Sequence, residues 1–145
     1  GAFGECLPYE DNRVSLHPAR VDRFGIPQLR FDVTFRDNEL RMMADARAQG
    51  EMMLRQAGLV NVTSGESEHV PGEAIHEMGG ARMGNDPRTS VLNKWNQAHE
   101  AANLFVTDGS QMNSISCVNP SLTFMALTCR AVDHAVKQLH AGALA

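Results

Sequence analysis

Asn119-Pro120-Ser121-Leu122-Thr123 opens the stretch on which the reading of this fold turns. Asn is a favoured N-cap residue, and Pro is favoured at the first helical position. From there Leu122, Met125, Cys129, Val132, Val136 and Leu139 recur at steps of three and four. That period predicts a helix with one apolar stripe, ending near Gly142. The first turn of a helix leaves backbone N–H groups unpaired and carries partial positive charge, so it attracts anions. A capped surface helix has the same sequence, and that plainer reading stays open.

Working outward, the helix is preceded by a polar loop over residues 111–118 and by Asn103-Leu104-Phe105-Val106, which predicts a short buried strand. Asp108-Gly109 stands at the strand's carboxyl end, where ligands of α/β sheets bind and where glycine admits close approach. A plain turn fits equally. Upstream, His76-Glu77-Met78-Gly79-Gly80-Ala81-Arg82-Met83-Gly84-Asn85-Asp86-Pro87 is dense in glycine and predicts a tightly turning loop.

The first half has a different texture. Val14 and Leu16 alternate with polar neighbours, as do Leu29, Phe31, Val33 and Phe35. A period of two over residues 13–36 predicts antiparallel strands with one buried and one wet face. His17-Pro18 and Gly25-Ile26-Pro27 punctuate turns, and Pro27 belongs at a strand's start or edge. Residues 38–57 predict a helix capped by Asp37 or Asn38 and ended by Gly58, with Leu40, Met43, Arg47, Gly50, Leu54 and Ala57 on one mixed face. Leu59–Thr63 predicts a short strand, and Ser64-Gly65-Glu66-Ser67-Glu68 a polar loop. A boundary falls near residues 70–76. The class is α+β, an antiparallel sheet with packed helices.

The 145 residues suit one ordinary domain or pieces of two. Composition is that of a globular chain, 43% hydrophobic and 21% charged. A net charge of -4 without a basic stripe argues against a nucleic-acid partner. No apolar run reaches the length of a transmembrane helix. No signal peptide opens the chain, and Gly1-Ala2-Phe3-Gly4 reads as the middle of a longer protein. Cys6, Cys117 and Cys129 are odd in number and lack metal spacing, so they read as free thiols, Cys129 as a small core residue.

Taken singly, the chemical signals are weak. His76 has the residue type of a general base near neutral pH, yet a lone histidine before a glycine loop is more often structural. His17, His69, His99, His134 and His140 show no metal-ligand spacing and read as surface or structural, so no metal is expected. Gly79 to Gly84 has phosphate-loop spacing without the Lys-Ser/Thr that should follow, and no G-x-G-x-x-G occurs.

In their order, these signals resemble one family. His76 to Gly84, Ser90-Val91-Leu92-Asn93, Asn103 to Ser110 and Asn119 to Thr123 resemble the C-terminal segment of the glucose–methanol–choline (GMC) flavoprotein oxidoreductases. Glu10-Asp11-Asn12-Arg13-Val14 and Gly25-Ile26-Pro27 resemble the substrate-domain part before it, and the sugar-oxidising branch is the nearest in look. The resemblance implies that residues 1–74 are part of a substrate-binding domain. Residues 75–145 would then return to an FAD-binding domain with its last strand and helix. It implies a catalytic pair, His76 and Asn119, Asn being a permitted variant at that second place. It implies FAD contacts at Asp108, Gly109, Asn119, Pro120 and Thr123. The implied reaction is oxidation of a CH–OH group of an alcohol, sugar or polyol by hydride transfer to flavin N5, with His76 as base. The family's N-terminal glycine fingerprint is missing here. The implied partners are therefore an N-terminal FAD-binding half of the same protein and a small alcohol or sugar, and the isolated segment is expected to be inactive. The electron acceptor depends on parts outside this chain, and the compartment, bacterial cytoplasm or periplasm, leans by resemblance to the periplasm. The alternatives are a non-catalytic α+β binding module and an inactive flavoenzyme remnant.

Overall fold

The computed structural model describes residues 2–65, 70–73 and 75–144. The chain divides into two compact units, Gly1–Ala74 and Ile75–Ala145. The predicted class holds at the level of elements: a two-stranded antiparallel sheet and two long helices.

In the first unit, β1 (Arg13–Val21) pairs with β2 (Pro27–Asp32) so that Val14 faces Phe31 and Leu16 faces Leu29. Pro27 sits at the strand's start, where its missing N–H costs no ladder bond. The register slips between Leu16 and Val21. There Pro18 has no N–H to donate, and the His17 ring accepts the N–H groups of Ala19 and Arg20 at 3.2 and 3.0 Å. The turn is built by Asp22, whose carboxylate accepts the N–H groups of Phe24 and Ile26 at 2.8 and 2.9 Å.

The helix α1 spans Asp37–Gln56, and Arg36 rather than Asp37 or Asn38 is its N-cap. Its buried anchor is Glu39, with 1% of its surface exposed, while Leu40 and Leu54 of the expected apolar face are exposed. The Glu39 carboxylate closes the helix start by accepting the Arg36 N–H at 3.0 Å. It also ties down the N-terminal segment through the Leu7 N–H and the Tyr9 hydroxyl, each at 3.1 Å. Burial alone would push this carboxyl up, but donors from Leu7, Asn38 and Arg36 outweigh it and hold the pKa down at about 2. After α1 no strand forms over residues 59–63. Asn61 takes a left-handed φ of 55°, and the Arg55 guanidinium captures the Val62 carbonyl at 2.6 Å. The following polar loop lies partly outside the described residues, as do His69 and the first residue of the chain.

In the second unit, α2 spans Ser121–His140. Both helices end in the same motif. Gly58 and Gly142, at φ 88° and 69°, turn the chain so that their own N–H and that of the next residue bond back to the last turn. Residues 103–106 form no strand: Phe105 makes one isolated antiparallel bridge to Gln97, and Leu104 is 52% exposed. A single bridge gives those residues one neighbour segment, too little for a ladder.

The apolar stripe of α2 is not what packs here. Leu122, Met125, Cys129, Val132, Val136 and Leu139 are all exposed, which corrects the expectation of a core Cys129. Instead Ala131 is buried, and Phe124, Thr128 and His134 are half-buried. The alternating strand face behaves likewise, with Val14, Leu16, Leu29 and Phe31 all exposed. Each such side chain, if fully buried, would contribute roughly 1.5–3 kcal/mol.

Candidate functional site

The candidate residues fall in the second unit, and Gly109 is where their neighbourhoods meet. A Cβ on Gly109 would lie 3.1 Å from the Glu77 carbonyl oxygen, 3.1 Å from the Phe124 ring and 3.3 Å from the Met78 sulfur. A side chain here would press all three back by a few tenths of an ångström, so glycine suits this close approach. Glu77 follows His76. Phe124 follows Thr123, and its N–H donates to the Pro120 carbonyl at 3.0 Å. The His76 run, the Asp108-Gly109 turn and the start of α2 are thus brought together at backbone level.

The turn continues as a short 3₁₀ helix, Gly109–Gln111, capped by the Asp108 carboxylate, which accepts the Ser110 N–H at 2.8 Å. The glycine run hangs from it. The Ala81 N–H donates to the Ser110 carbonyl at 3.0 Å, and the Met83 N–H to the Gln111 carbonyl at 2.9 Å. Ile75 enters the run at φ 56°, a region where a β-branched residue is strained.

His76 is half-buried and Asn119 exposed, and no hydrogen bond joins either side chain to another described residue. The helix boundary shifts by one from expectation: Pro120, buried, is the N-cap, and Asn119 stands outside it without capping. Pro120 at φ -91°, ψ 0° is already in the helical region, so by backbone angles the boundary stays within one residue of the expectation. No side chain caps this start, and its first turn holds no acidic residue. Thr123, at the third helical position, is exposed. The N–H groups of the first turn are therefore open to an external acceptor.

Sequence reasoning passed over the residues that hold this loop in place. Asn96 and Gln111 are completely buried and bonded to each other. His134, read as surface or structural, is half-buried and stacks on Trp95 with ring centroids 4.7 Å apart. His99 pairs with the Ser90 hydroxyl at 3.0 Å. Only His134 carried a signal, its place four residues after Arg130 on the helix; Asn96 has no periodic neighbour to mark it. An open hollow of about 300 Å³ beside this cluster is lined by Gly84, Asn85, Asn93, Lys94, Trp95 and His99, not by His76 or Asn119.

Comparison with known proteins bears on this arrangement. Residues 8–128 match the sequence model of the family described as GMC oxidoreductase. The chain is 38% identical over 140 residues to 2-methyl-1,2-propanediol dehydrogenase of Mycolicibacterium austroafricanum, covering 91% of this chain and 24% of that protein. It is 36% identical over 124 residues to paromamine 6'-oxidase of Streptomyces fradiae, covering 86% and 23%. It is 32% identical over 146 residues to the fructose dehydrogenase large subunit of Gluconobacter japonicus, covering 95% and 25%. The chain thus spans about a quarter of the length of the relatives it matches.

Proposed function

The chain belongs to the GMC oxidoreductase family, and from that premise we propose that it is the C-terminal part of an FAD-dependent enzyme oxidising the CH–OH group of an alcohol, sugar or polyol. The relatives' names give 2-methyl-1,2-propanediol, paromamine and fructose, which supports a hydroxylated small molecule as substrate. Residues 1–74 form part of the substrate-binding domain, and residues 75–145 return to the FAD-binding domain and supply its last helix.

The observation that carries the reading is the bare start of α2 beside the Gly109 turn. An uncapped, acid-free helix start suits a group that gains negative charge, and the close-packed glycine turn suits a ligand lying against the backbone. Asp108, Gly109, Asn119, Pro120 and Thr123 would hold the cofactor there. When bound, the flavin supplies the hydride acceptor at N5 and takes negative charge on its pyrimidine ring. His76 accepts the substrate hydroxyl proton on an imidazole nitrogen. Asn119, its amide unspent on capping, hydrogen-bonds the same hydroxyl and orients it. The first-turn N–H groups of α2 stabilise the negative charge.

The remaining FAD contacts come from an N-terminal half of the same protein. That half, with the rest of the substrate domain, also covers the exposed strand face and the α2 stripe. Anaerobic addition of alcohols and sugars to the complete flavoprotein tests the proposal. At least one should bleach the flavin absorbance, and Asn119→Asp should slow that bleaching by placing a negative charge where negative charge must develop. A complete protein that purifies without flavin would sink the reading. An unchanged rate in Asn119→Asp would remove Asn119 from the site.

A further inference from the structure

The second unit buries two carboxamides where apolar side chains of equal size would serve stability as well. Asn96 and Gln111 each have 0% of their surface exposed. Removing both partners of such a pair in favour of apolar groups is often nearly neutral, whereas removing one leaves the other unsatisfied. What a carboxamide adds is direction, since it donates and accepts at fixed angles.

Each bond here reaches a segment that matters. The Asn96 amide nitrogen donates to the Val106 carbonyl at 3.0 Å and to the Gln111 side-chain oxygen. The Gln111 amide nitrogen donates to the Thr107 carbonyl at 2.9 Å. Arg130, on α2, donates to the Asn96 side-chain oxygen at 3.3 Å. The Thr107 carbonyl also receives the Thr128 hydroxyl of α2 at 3.3 Å. Asn96 itself stands at φ 64°, a left-handed position that Asn tolerates better than most residues, and its own carbonyl accepts the Val106 N–H at 3.0 Å. The Gln111 backbone, in turn, holds Met83 of the glycine run.

We propose that Asn96, Gln111 and Arg130 are positioning residues, locking the Asp108-Gly109 turn, the glycine run behind His76 and α2 into one fixed register. The proposal rests on the role given above to His76 and that turn. None of the three touches the reacting atoms. Their effect is on the angle at which the base and the flavin-facing turn are presented, where a small displacement costs far more rate than stability.

The test uses the complete flavoprotein carrying Gln111→Met, which keeps the volume and removes both side-chain bonds. Flavin reduction at saturating substrate should fall about tenfold with KM little changed. The flavin midpoint potential should move, and the Ala81 and Met83 amides should exchange faster with solvent. Gln111→Glu adds a rescue. Protonated, its carboxyl restores the donor to Thr107 and the acceptor for Asn96; ionised, it loses the donor. Its reduction rate, taken as a ratio to the parent's at the same pH, should therefore recover as the pH is lowered, while the same ratio for Gln111→Met stays flat. Unchanged rate and potential in Gln111→Met would overturn the proposal. If Gln111→Met does not fold, Arg130→Met decides: it spares the amide pair, and a severalfold loss of rate is expected, while parental rate and potential overturn the lock. His76→Ala separates the two levels. A parental rate there refutes the base, while a shifted potential in Gln111→Met still supports the lock.

Discussion

The two helices of this chain are alike in length and in how they end, and they differ in how they begin. Each has twenty residues and each stops at a left-handed glycine whose neighbours bond back to the last turn. The start of α1 carries Asp37 and Glu39, and the Glu39 carboxylate accepts the N–H of the capping residue. Neither start has a side-chain cap on its first-turn N–H groups, but the start of α2 also carries no acid. The first is electrostatically closed and serves the fold. The second is left open, and leaving it open forgoes about 1 kcal/mol of helix stability that a cap would give.

The sharpest way to break the contrast is to give α2 what α1 has. Thr123 occupies the third helical position, as Glu39 does in α1. In the complete flavoprotein, Thr123→Glu should slow flavin reduction by about a hundredfold, since a like charge within about 4 Å costs several kcal/mol near a protein surface. The same change should stabilise α2 by about 0.5–1 kcal/mol, read as slower amide exchange in its first turns. Function and local stability moving in opposite directions is the signature; a change that harmed both would point to simple misfolding.

The converse change opens α1. Glu39→Gln should cost the first unit about 1–3 kcal/mol in denaturant unfolding, because the amide cannot accept four donors as a carboxylate does. In the parent, the folded pKa of about 2 lies below the ordinary value of 4.5. The bonds therefore contribute fully above about pH 4.5, and the contribution is lost as the pH falls toward 2. Glu39→Gln should flatten that acid limb. Smaller still is the effect at the ends the helices share. Gly58→Ala and Gly142→Ala should each cost about 1 kcal/mol, with exchange in the last turn of each helix as the measure. A large inequality between them would mean that the two ends are not equivalent.

Much of this was legible in the sequence, and the limits have physical causes. Both helices and the strand pair announced themselves through period and punctuation, because their backbones satisfy themselves locally. The α2 stripe was read correctly as apolar, and Cys129 on it wrongly as a core residue. Periodicity reports which face avoids water in the whole protein, and Leu122 and Val132 find no cover within these residues. Residues 59–63 and 103–106 have strand composition, yet a strand needs a neighbour, and theirs is absent or a single bridge. The Gly109 crossing was visible only as an Asp-Gly turn; that it packs against Glu77 and Phe124 required coordinates. Asn96 and Gln111 left no trace, because irregular backbone is held by individual side-chain bonds that follow no period.

The proposed function turns on His76 as the group that takes the substrate proton. Stopped-flow reduction of the complete flavoprotein, parent against His76→Ala, measures this without dependence on the final electron acceptor. With flavin retained, the account predicts a loss of about a hundredfold or more in the reduction rate at saturating substrate. Reduction at the parental rate would contradict it.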